Sequence, residues 1–222
     1  DIKAFFTNHT NALSLARELL FSINEPDVIN HACQDCAAGG IGVLEPGHSL
    51  TLHSLQIDQV GPVLRTYIGC AAQLYGDLDQ ADLIKIHIQS GKVSVMIYDD
   101  FQGLPLPRLM ERIKIRLREQ DIDFFDYGYE FEPPFLYKKS QFLPPDFSKR
   151  EEQQRFDLDM EERCFFKLGT NEPTPTELKE SLLEENLSIS GFRLVPQSFE
   201  LDNKCGKYLT FRDLIECGQT QK

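Results

Sequence analysis

Strict alternation of apolar and polar residues is the clearest pattern in the chain, and it occurs in the middle third. In RIKIRLR, residues 112–118, apolar side chains alternate with four basic ones. Alternation or a related strand-like run also appears in DLIKIHIQ, VSVMIYDDF and IDFFDYG. Successive side chains of a strand point to opposite faces, and the connections between these stretches are short. They therefore predict an antiparallel meander over residues 82–127, and SLTLHSL at 49–55 predicts another strand.

Five ranges on both sides of this region predict helices, and they are 11–23, 25–40, 59–78, 148–163 and 174–187. Apolar residues recur at helical spacing in 11–23 and 59–78, whereas 148–163 is a charged helix. Pro26 stands in the first turn of the second range, and Thr174 with Glu177 forms a capping box at the start of the last. The pattern predicts an α+β fold, with a small antiparallel β-meander packed by N-terminal and C-terminal helices.

The chain divides into two regions by composition. We expect residues 1–147 to contain the helices and the sheet core. We expect residues 148–222 to form a charged helical C-terminal region that can lead into a further domain. Between them, PPFLYKKSQFLPPDF at 133–147 is bounded by prolines and predicts an extended strap across the surface rather than a helix.

Charge changes the interpretation of the sheet. The 222 residues carry a formal net charge of −12, which opposes non-specific binding of DNA by the surface as a whole. Residues 81–120 nevertheless carry more basic than acidic side chains. The middle of the chain is therefore a positive segment within an acidic protein.

The basic side chains of this segment are the candidate nucleic-acid-binding residues. Alternation places Lys85 and His87 on one face of the first strand and Arg112, Lys114 and Arg116 on one face of the third. If these faces coincide, they form a surface for phosphates, and Phe125 and Tyr127 are placed to stack on bases. Lys138 and Lys139, in the strap, are further anion-binding candidates. The alternative is a solvated sheet face whose charges pair with Asp121, Asp123 and the acidic helices.

Catalytic interpretations find less support in the residues. Asp126-Tyr127-Gly128 ends a strand as the D-x-G-x-G loop of S-adenosylmethionine-dependent methyltransferases does. A second glycine is missing, however, and the prolines that follow leave no room for a helix, so we predict no cofactor site. A hydrolase using Asp99, Asp100 and His87 remains an alternative.

The cysteine spacing and the hydropathy bear on two further classes of protein, metal-binding proteins and membrane proteins. Cys33 and Cys36 form C-x-x-C without a second pair at zinc-site spacing, which favours reduced thiols in a cytoplasmic protein and predicts no metal. No apolar run is long enough for a membrane-spanning helix, so we expect no membrane partner.

The order of several sequence blocks resembles a bacterial family. VLRTYIGCAAQLYGDLDQADLIKIHIQSGKVSVMIYDDF, PPFLYKKSQFLPPDF, EERCFFKLGTNEPT and GFRLV resemble blocks of the DNA phosphorothioation-associated methyltransferases, in the same order. The resemblance covers roughly residues 10 to 195, and no block is a catalytic signature. Where this sequence has Tyr137-Lys138-Lys139, the family tends to have His-Arg-Lys.

The resemblance implies a setting rather than a reaction. In that family, the methyltransferase assignment rests on a separate segment with a glycine-rich cofactor loop, which this sequence lacks. The chain would then be a non-catalytic accessory region of a bacterial DNA-modification or defence protein, with DNA or other proteins of the same system as partners. Two alternatives stay open: a methyltransferase or hydrolase fragment, and a structural protein-interaction domain whose acidic helices at 148–187 contact a basic partner.

Overall fold

A six-stranded antiparallel sheet with its strands in chain order forms the centre of the fold. The computed structural model describes residues 2–76, 78–128, 132–165 and 172–197. The predicted α+β architecture is confirmed. The strands of this sheet are β1 Val43–Glu45, β2 Ser49–His53, β3 Leu83–His87, β4 Lys92–Tyr98, β5 Leu109–Arg116 and β6 Asp121–Asp126. A separate hairpin pairs β7 Leu187–Ser190 with β8 Arg193–Pro196.

Six α-helices lie within the described ranges, four before the long part of the sheet and two after it. They are α1 Ile2–Phe6, α2 His9–Ser22, α3 Pro26–Ala38, α4 Pro62–Tyr75, α5 Arg150–Glu162 and α6 Pro175–Glu184. Two 3-10 helices cover Ser54–Gln59 and Lys139–Phe142. The predicted capping box is present, since the Thr174 hydroxyl accepts from the Glu177 N–H and the Glu177 carboxylate accepts from the Thr174 N–H.

The sheet is larger than the sequence predicts. Strand β2 matches the strand expected at 49–55, and together with β1 it extends the sheet beside β3. All five residues of β2 are buried, and this strand contacts both α3 and the 3-10 helix Lys139–Phe142. Strand β1 has only three residues, which is too short for alternation to reveal it.

One face of the sheet is apolar and packs against α3 and α4. Directly paired residues lie on the same face, and the register aligns Ile84 with Val95 and Val95 with Ile113. These side chains are almost fully buried, with Leu64 and Ile68 of α4 in the same cluster. Burying a large aliphatic side chain contributes about 1.5–3 kcal/mol, so this layer fixes which face each strand turns inward.

The other face is covered at one end only. The strap, residues 133–147, crosses it where Leu83, Met96 and Leu143 form a second apolar cluster. As predicted, the strap is not an α-helix, although it contains the short 3-10 helix Lys139–Phe142. Helix α5 packs on that 3-10 helix, and the apolar cluster around Phe156 joins the C-terminal helices to Tyr137 of the strap. On the rest of this face, the polar side chains of β3 and β5 are partly exposed.

Lys139 holds the strap in place from inside the fold. Its side chain is fully buried, and its ammonium donates to the carbonyl oxygens of Phe101, at 2.9 Å, and Leu104. Burial lowers the pKa of Lys139 to about 8, while the carboxylates of Asp157 and Asp100 act in the opposite direction. The lysine therefore joins the strap to the loop after β4.

None of the helices in the described ranges is both long enough and apolar enough to cross a bilayer.

The adjacent lysines of the strap provide a test of this packing. Lys139→Ala leaves two carbonyl oxygens without their donor and opens a cavity, so we expect it to lower the free energy of unfolding by about 3 kcal/mol. Lys138→Ala is the matched control, because Lys138 is about one-third exposed and pairs with Glu161 at the surface. We expect it to cost less than about 1 kcal/mol. Urea unfolding followed by circular dichroism measures both, and equal losses would contradict the assigned role of Lys139.

Candidate anion-binding face

Two rows of polar side chains run across the open part of the second sheet face. Because directly paired residues of neighbouring antiparallel strands share a face, the register defines both rows. The first contains Glu45, Ser49, His87, Lys92, Arg116 and Asp121, and the second contains Thr51, Lys85, Ser94, Lys114 and Asp123. Arg112 lies beside them, opposite Met96 and Phe125. We call Lys85, His87, Lys92, Arg112, Lys114 and Arg116 the basic face.

The structure brings together five of the residues that the sequence selected as binding candidates. Lys85 and His87 of β3 share one surface with Arg112, Lys114 and Arg116 of β5, because β4 connects their strands in the register that alternation requires. Whether this surface binds nucleic acid remains a prediction.

Two members of the rows were missed in the sequence. The strand-like run VSVMIYDDF begins one residue after Lys92, but Lys92 is itself the first residue of β4 and pairs with both His87 and Arg116. Ser94 follows two positions later and lies between Lys85 and Lys114. The period of two within β4 is the signal that identifies both.

Arg118 does not join the basic face, although alternation places it there. Strand β5 ends at Arg116, and the chain then turns through residues 117–120. The Arg118 guanidinium instead approaches the carbonyl oxygen of Asn24, before α3, at 3.4 Å. The period of two therefore stops at the end of the strand.

Glu45 balances one end of the basic face. Its carboxylate accepts from the Lys85 ammonium at 3.0 Å, from the Ser49 hydroxyl at 3.0 Å, and lies 2.9 Å from the His48 ring. Burial alone would raise the pKa of Glu45, but its hydrogen bond with Lys85 and the charge of that lysine lower it below its ordinary value. Lys85 is thus already paired within the protein.

Arg116 is paired at the other end. Its guanidinium bonds the carboxylates of Asp121 and, at 2.7 Å, Asp123 on β6. The hydrogen bond from Arg116 lowers the pKa of Asp121. For this arginine the alternative drawn from the sequence, pairing with Asp121 and Asp123, is what the structure contains.

Lys92, Arg112 and Lys114 differ from these two cations, because they form no ion pair within the described ranges. The Lys114 ammonium lies 4.5 Å from the centre of the Phe125 ring, and Phe125 is 40% exposed. Arg112 approaches the Met96 sulfur, and its Nε–H is buried without a hydrogen-bond partner in this part of the chain. These three side chains carry the uncompensated charge of the basic face.

His87 contributes a hydrogen bond rather than a charge. Its Nε2 lies 3.0 Å from the hydroxyl oxygen of Ser94, which is 2% exposed. Burial, reinforced by the charges of Lys85, His48, Lys92 and Arg112, lowers the pKa of His87 to about 4. The ring is therefore neutral at pH 7. The Ser94–His87 pair resembles a nucleophile with its base, but the buried hydroxyl is closed to a substrate.

Lys138 and Lys139 lie away from the basic face, in the strap. Lys138 pairs with Glu161 of α5 at 3.2 Å. Lys139 is fully buried, and backbone carbonyl oxygens accept from its ammonium. A surface anion would reach Lys139 only if the strap moved, so neither lysine belongs to the basic face.

The residues of the hydrolase alternative are not brought together. His87 pairs with Lys92 at the start of β4, whereas Asp99 and Asp100 follow the end of that strand, about 20 Å along it. The Asp99 carboxylate accepts from both the backbone N–H and the side-chain Nε–H of Arg108. The Asp100 carboxylate accepts from the Gly103 N–H. Both carboxylates therefore shape the loop after β4.

The strand before Gly128 belongs to the antiparallel meander. Within the described residues, strand β6 pairs with β5 alone and lies at the edge of the sheet, whereas cofactor loops of methyltransferases follow a strand of a parallel sheet. The environment of Asp126-Tyr127-Gly128 is thus that of a sheet edge.

Cys33 and Cys36 lie in α3 and belong to the apolar core. Both thiols are free and buried, and burial raises the pKa of Cys33 to about 12. A protonated thiol is neither a good metal ligand nor a good nucleophile. Over the described residues, no three histidine, cysteine or acidic side chains are grouped so as to hold a metal ion.

The pKa of His87 tests the electrostatics of the basic face. Lys85→Met and Lys92→Met each remove a nearby charge, so we expect each to raise the pKa of His87 part of the way towards 6.5, with burial retaining the remainder of the shift. The exposed Lys179→Met is the control and should leave the pKa unchanged. Titration of the ring signals by NMR measures all three, and a wild-type pKa near 6.5 would contradict the burial of this ring.

Comparisons of the chain with protein-family models, with curated proteins and with solved structures found no match in any of the three.

Proposed function

We propose that this chain is a non-catalytic binding module and that its basic face contacts DNA. The supporting observation is the arrangement of Lys92, Arg112 and Lys114, which share one open surface and lack carboxylate partners within the described ranges. The chain as a whole has a net charge of −12, which makes this group of cations distinct from the surrounding acidic surface. Phosphate oxygens are the natural partners of such a group.

The shape of the surface favours single-stranded DNA over a duplex. Lys92 on β4 pairs with Arg116, four residues along β5 from Arg112. With about 3.3 Å per residue along a strand and about 4.8 Å between strands, the backbone positions of the three cations span about 14 Å. Phe125 lies beside Lys114 and offers an exposed ring. Unpaired bases stack on such rings while lysine and arginine follow the backbone, which is how open sheet platforms bind single strands.

The flanking acids limit the strength of the interaction. Glu45, Asp121 and Asp123 already neutralise Lys85 and Arg116. Binding then depends on few phosphate contacts, and its affinity falls steeply as salt displaces them. We therefore propose weak, salt-sensitive contact by an accessory region rather than tight recognition of a sequence.

The biological setting of the proposal comes from the sequence resemblance alone. What the resemblance implies is a bacterial DNA-modification system associated with phosphorothioation, or a related defence protein. A sulfur-containing backbone keeps its negative charge, so the same cations serve for modified and unmodified DNA. Other proteins of the same system are further partners under this proposal.

A paired charge reversal tests the surface. Lys92→Glu combined with Lys114→Glu replaces two uncompensated cations, and we expect affinity for a fluorescent single strand of about 20 nucleotides to fall at least about tenfold. Arg116 is left intact, because its loss would leave Asp121 and Asp123 unpaired. Arg112 is left intact because its guanidinium is partly buried. Fluorescence anisotropy at about 50 mM and about 200 mM salt, with and without phosphorothioate, measures the effect.

The matched control makes the same change in charge elsewhere. Arg17→Glu on α2 combined with Lys179→Glu on α6 reverses two exposed cations outside the basic face, and we expect affinity to change less than about twofold. Equal loss in both variants would indicate an effect of net charge only. Absence of salt-sensitive binding by the wild-type protein would refute the proposed function.

A further inference from the structure

A cavity of about 360 Å³ lies on the helical side of the sheet, opposite the basic face. Four parts of the chain converge on it: the turn between α2 and α3 together with the first turn of α3, one side of α4, the β3–β4 turn and the β5–β6 turn. Its size falls within the range of small-molecule sites. No side chain of the basic face lines it.

The walls of the cavity are apolar with a few polar groups. Ile29, Leu74, Ile88 and Leu117 supply hydrocarbon surface, and the amides of Asn24 and Gln73 supply hydrogen-bonding groups. Among all the lining residues, the one charged side chain is Arg118. A ligand held here therefore meets a largely apolar surface and a single cation.

Arg118 is positioned but not neutralised. Its side chain runs along Gly91, where a methyl group on the glycine would approach the arginine side chain to 3.0 Å. Its hydrogen bond to the Asn24 carbonyl oxygen is long, at 3.4 Å, and no carboxylate of the described residues forms an ion pair with it. A guanidinium carries five donors, so most of its capacity is available to a ligand.

We propose that this cavity binds a small monocarboxylic acid with an apolar body. The carboxylate would pair with the Arg118 guanidinium, whose planar fork matches two carboxylate oxygens. The hydrocarbon part would lie between Ile29, Leu74 and Leu117. A multiply charged phosphate fits less well, because the cavity offers it one cation and mostly apolar walls.

This inference goes beyond the proposed contact with DNA and is independent of it. The cavity and the basic face lie on opposite sides of the sheet and share no residue. Either proposal can fail while the other stands.

Octanoate and octanamide are the probes, because they share an apolar chain and differ in charge. We expect octanoate to shift the backbone amide signals of Gly91, Arg118 and Leu74 in the spectrum of the full chain. We expect octanamide to bind at least about tenfold more weakly, since a charge-assisted pair is replaced by a neutral contact. NMR titration up to about 5 mM ligand detects dissociation constants as weak as about 1 mM.

Two variants and a control locate the binding. Arg118→Met keeps the apolar stem and should remove the preference for octanoate over octanamide. Arg17→Met, on exposed α2, is the control and should keep it. Cys70→Phe places a ring in the cavity and should abolish binding of both probes, with the dispersion of the spectrum showing that the variant folds.

Several results would overturn the assignment. They are absence of amide shifts with octanoate, equal binding of the two probes to the wild-type protein, and an unchanged preference in Arg118→Met. Tighter binding of a peptide through its free C-terminal carboxylate than of octanoate would likewise reject a small acid as the ligand.

Discussion

The pairing register of the antiparallel strands is the constraint on which the rest of the structure depends. It aligns Ile84, Val95 and Ile113 on the face beneath the helices, and consequently Lys85, Ser94 and Lys114 on the other. Because the side-chain period of a strand is two, a slip of one residue would turn the lysines into the core and the isoleucines into water. Burial of the aliphatic layer therefore fixes the basic face indirectly, without any need for the cations to attract one another.

Coverage of the second face divides it into a structural end and an open end. At the structural end, the strap buries Leu83 and Met96, and Lys139 is held by carbonyl oxygens of the loop after β4. At the open end, Glu45 and the β6 aspartates bracket a group of cations, of which Lys92 and Lys114 remain unpaired in the described part of the chain. The same sheet face thus holds the fold together in one half and offers charge to a ligand in the other.

The sequence predicts most of the architecture because its local signals agree with the packing. Alternation in β5 gives the correct face for Arg112, Lys114 and Arg116, and the capping box at Thr174 marks the start of α6. Features that depend on distant parts of the chain are not visible in it. Lys139 follows another lysine between prolines and suggests a surface position, yet its partners are Phe101 and Leu104.

The ionisation of the basic face likewise depends on contacts that the local sequence does not reveal. The sequence counts His87 as potentially basic, but burial and the nearby charges of Lys85 and Lys92 keep it neutral. Similarly, alternation in the sequence places Arg118 on the basic face although β5 ends at Arg116, because a period of two does not show where a strand ends. The positions of side chains along a strand can be predicted locally, whereas their ionisation and their pairing depend on neighbours that only the folded chain supplies.

Mapping a single-stranded oligonucleotide by NMR tests the central claim most directly, since it asks which face of the sheet meets the ligand. The account predicts that the shifted amides cluster at Lys92, Ser94, Lys114 and Phe125, and that α3 and α4 on the opposite face stay unchanged. Shifts centred on the helical side, or a spectrum unaffected by the oligonucleotide at low salt, would contradict it.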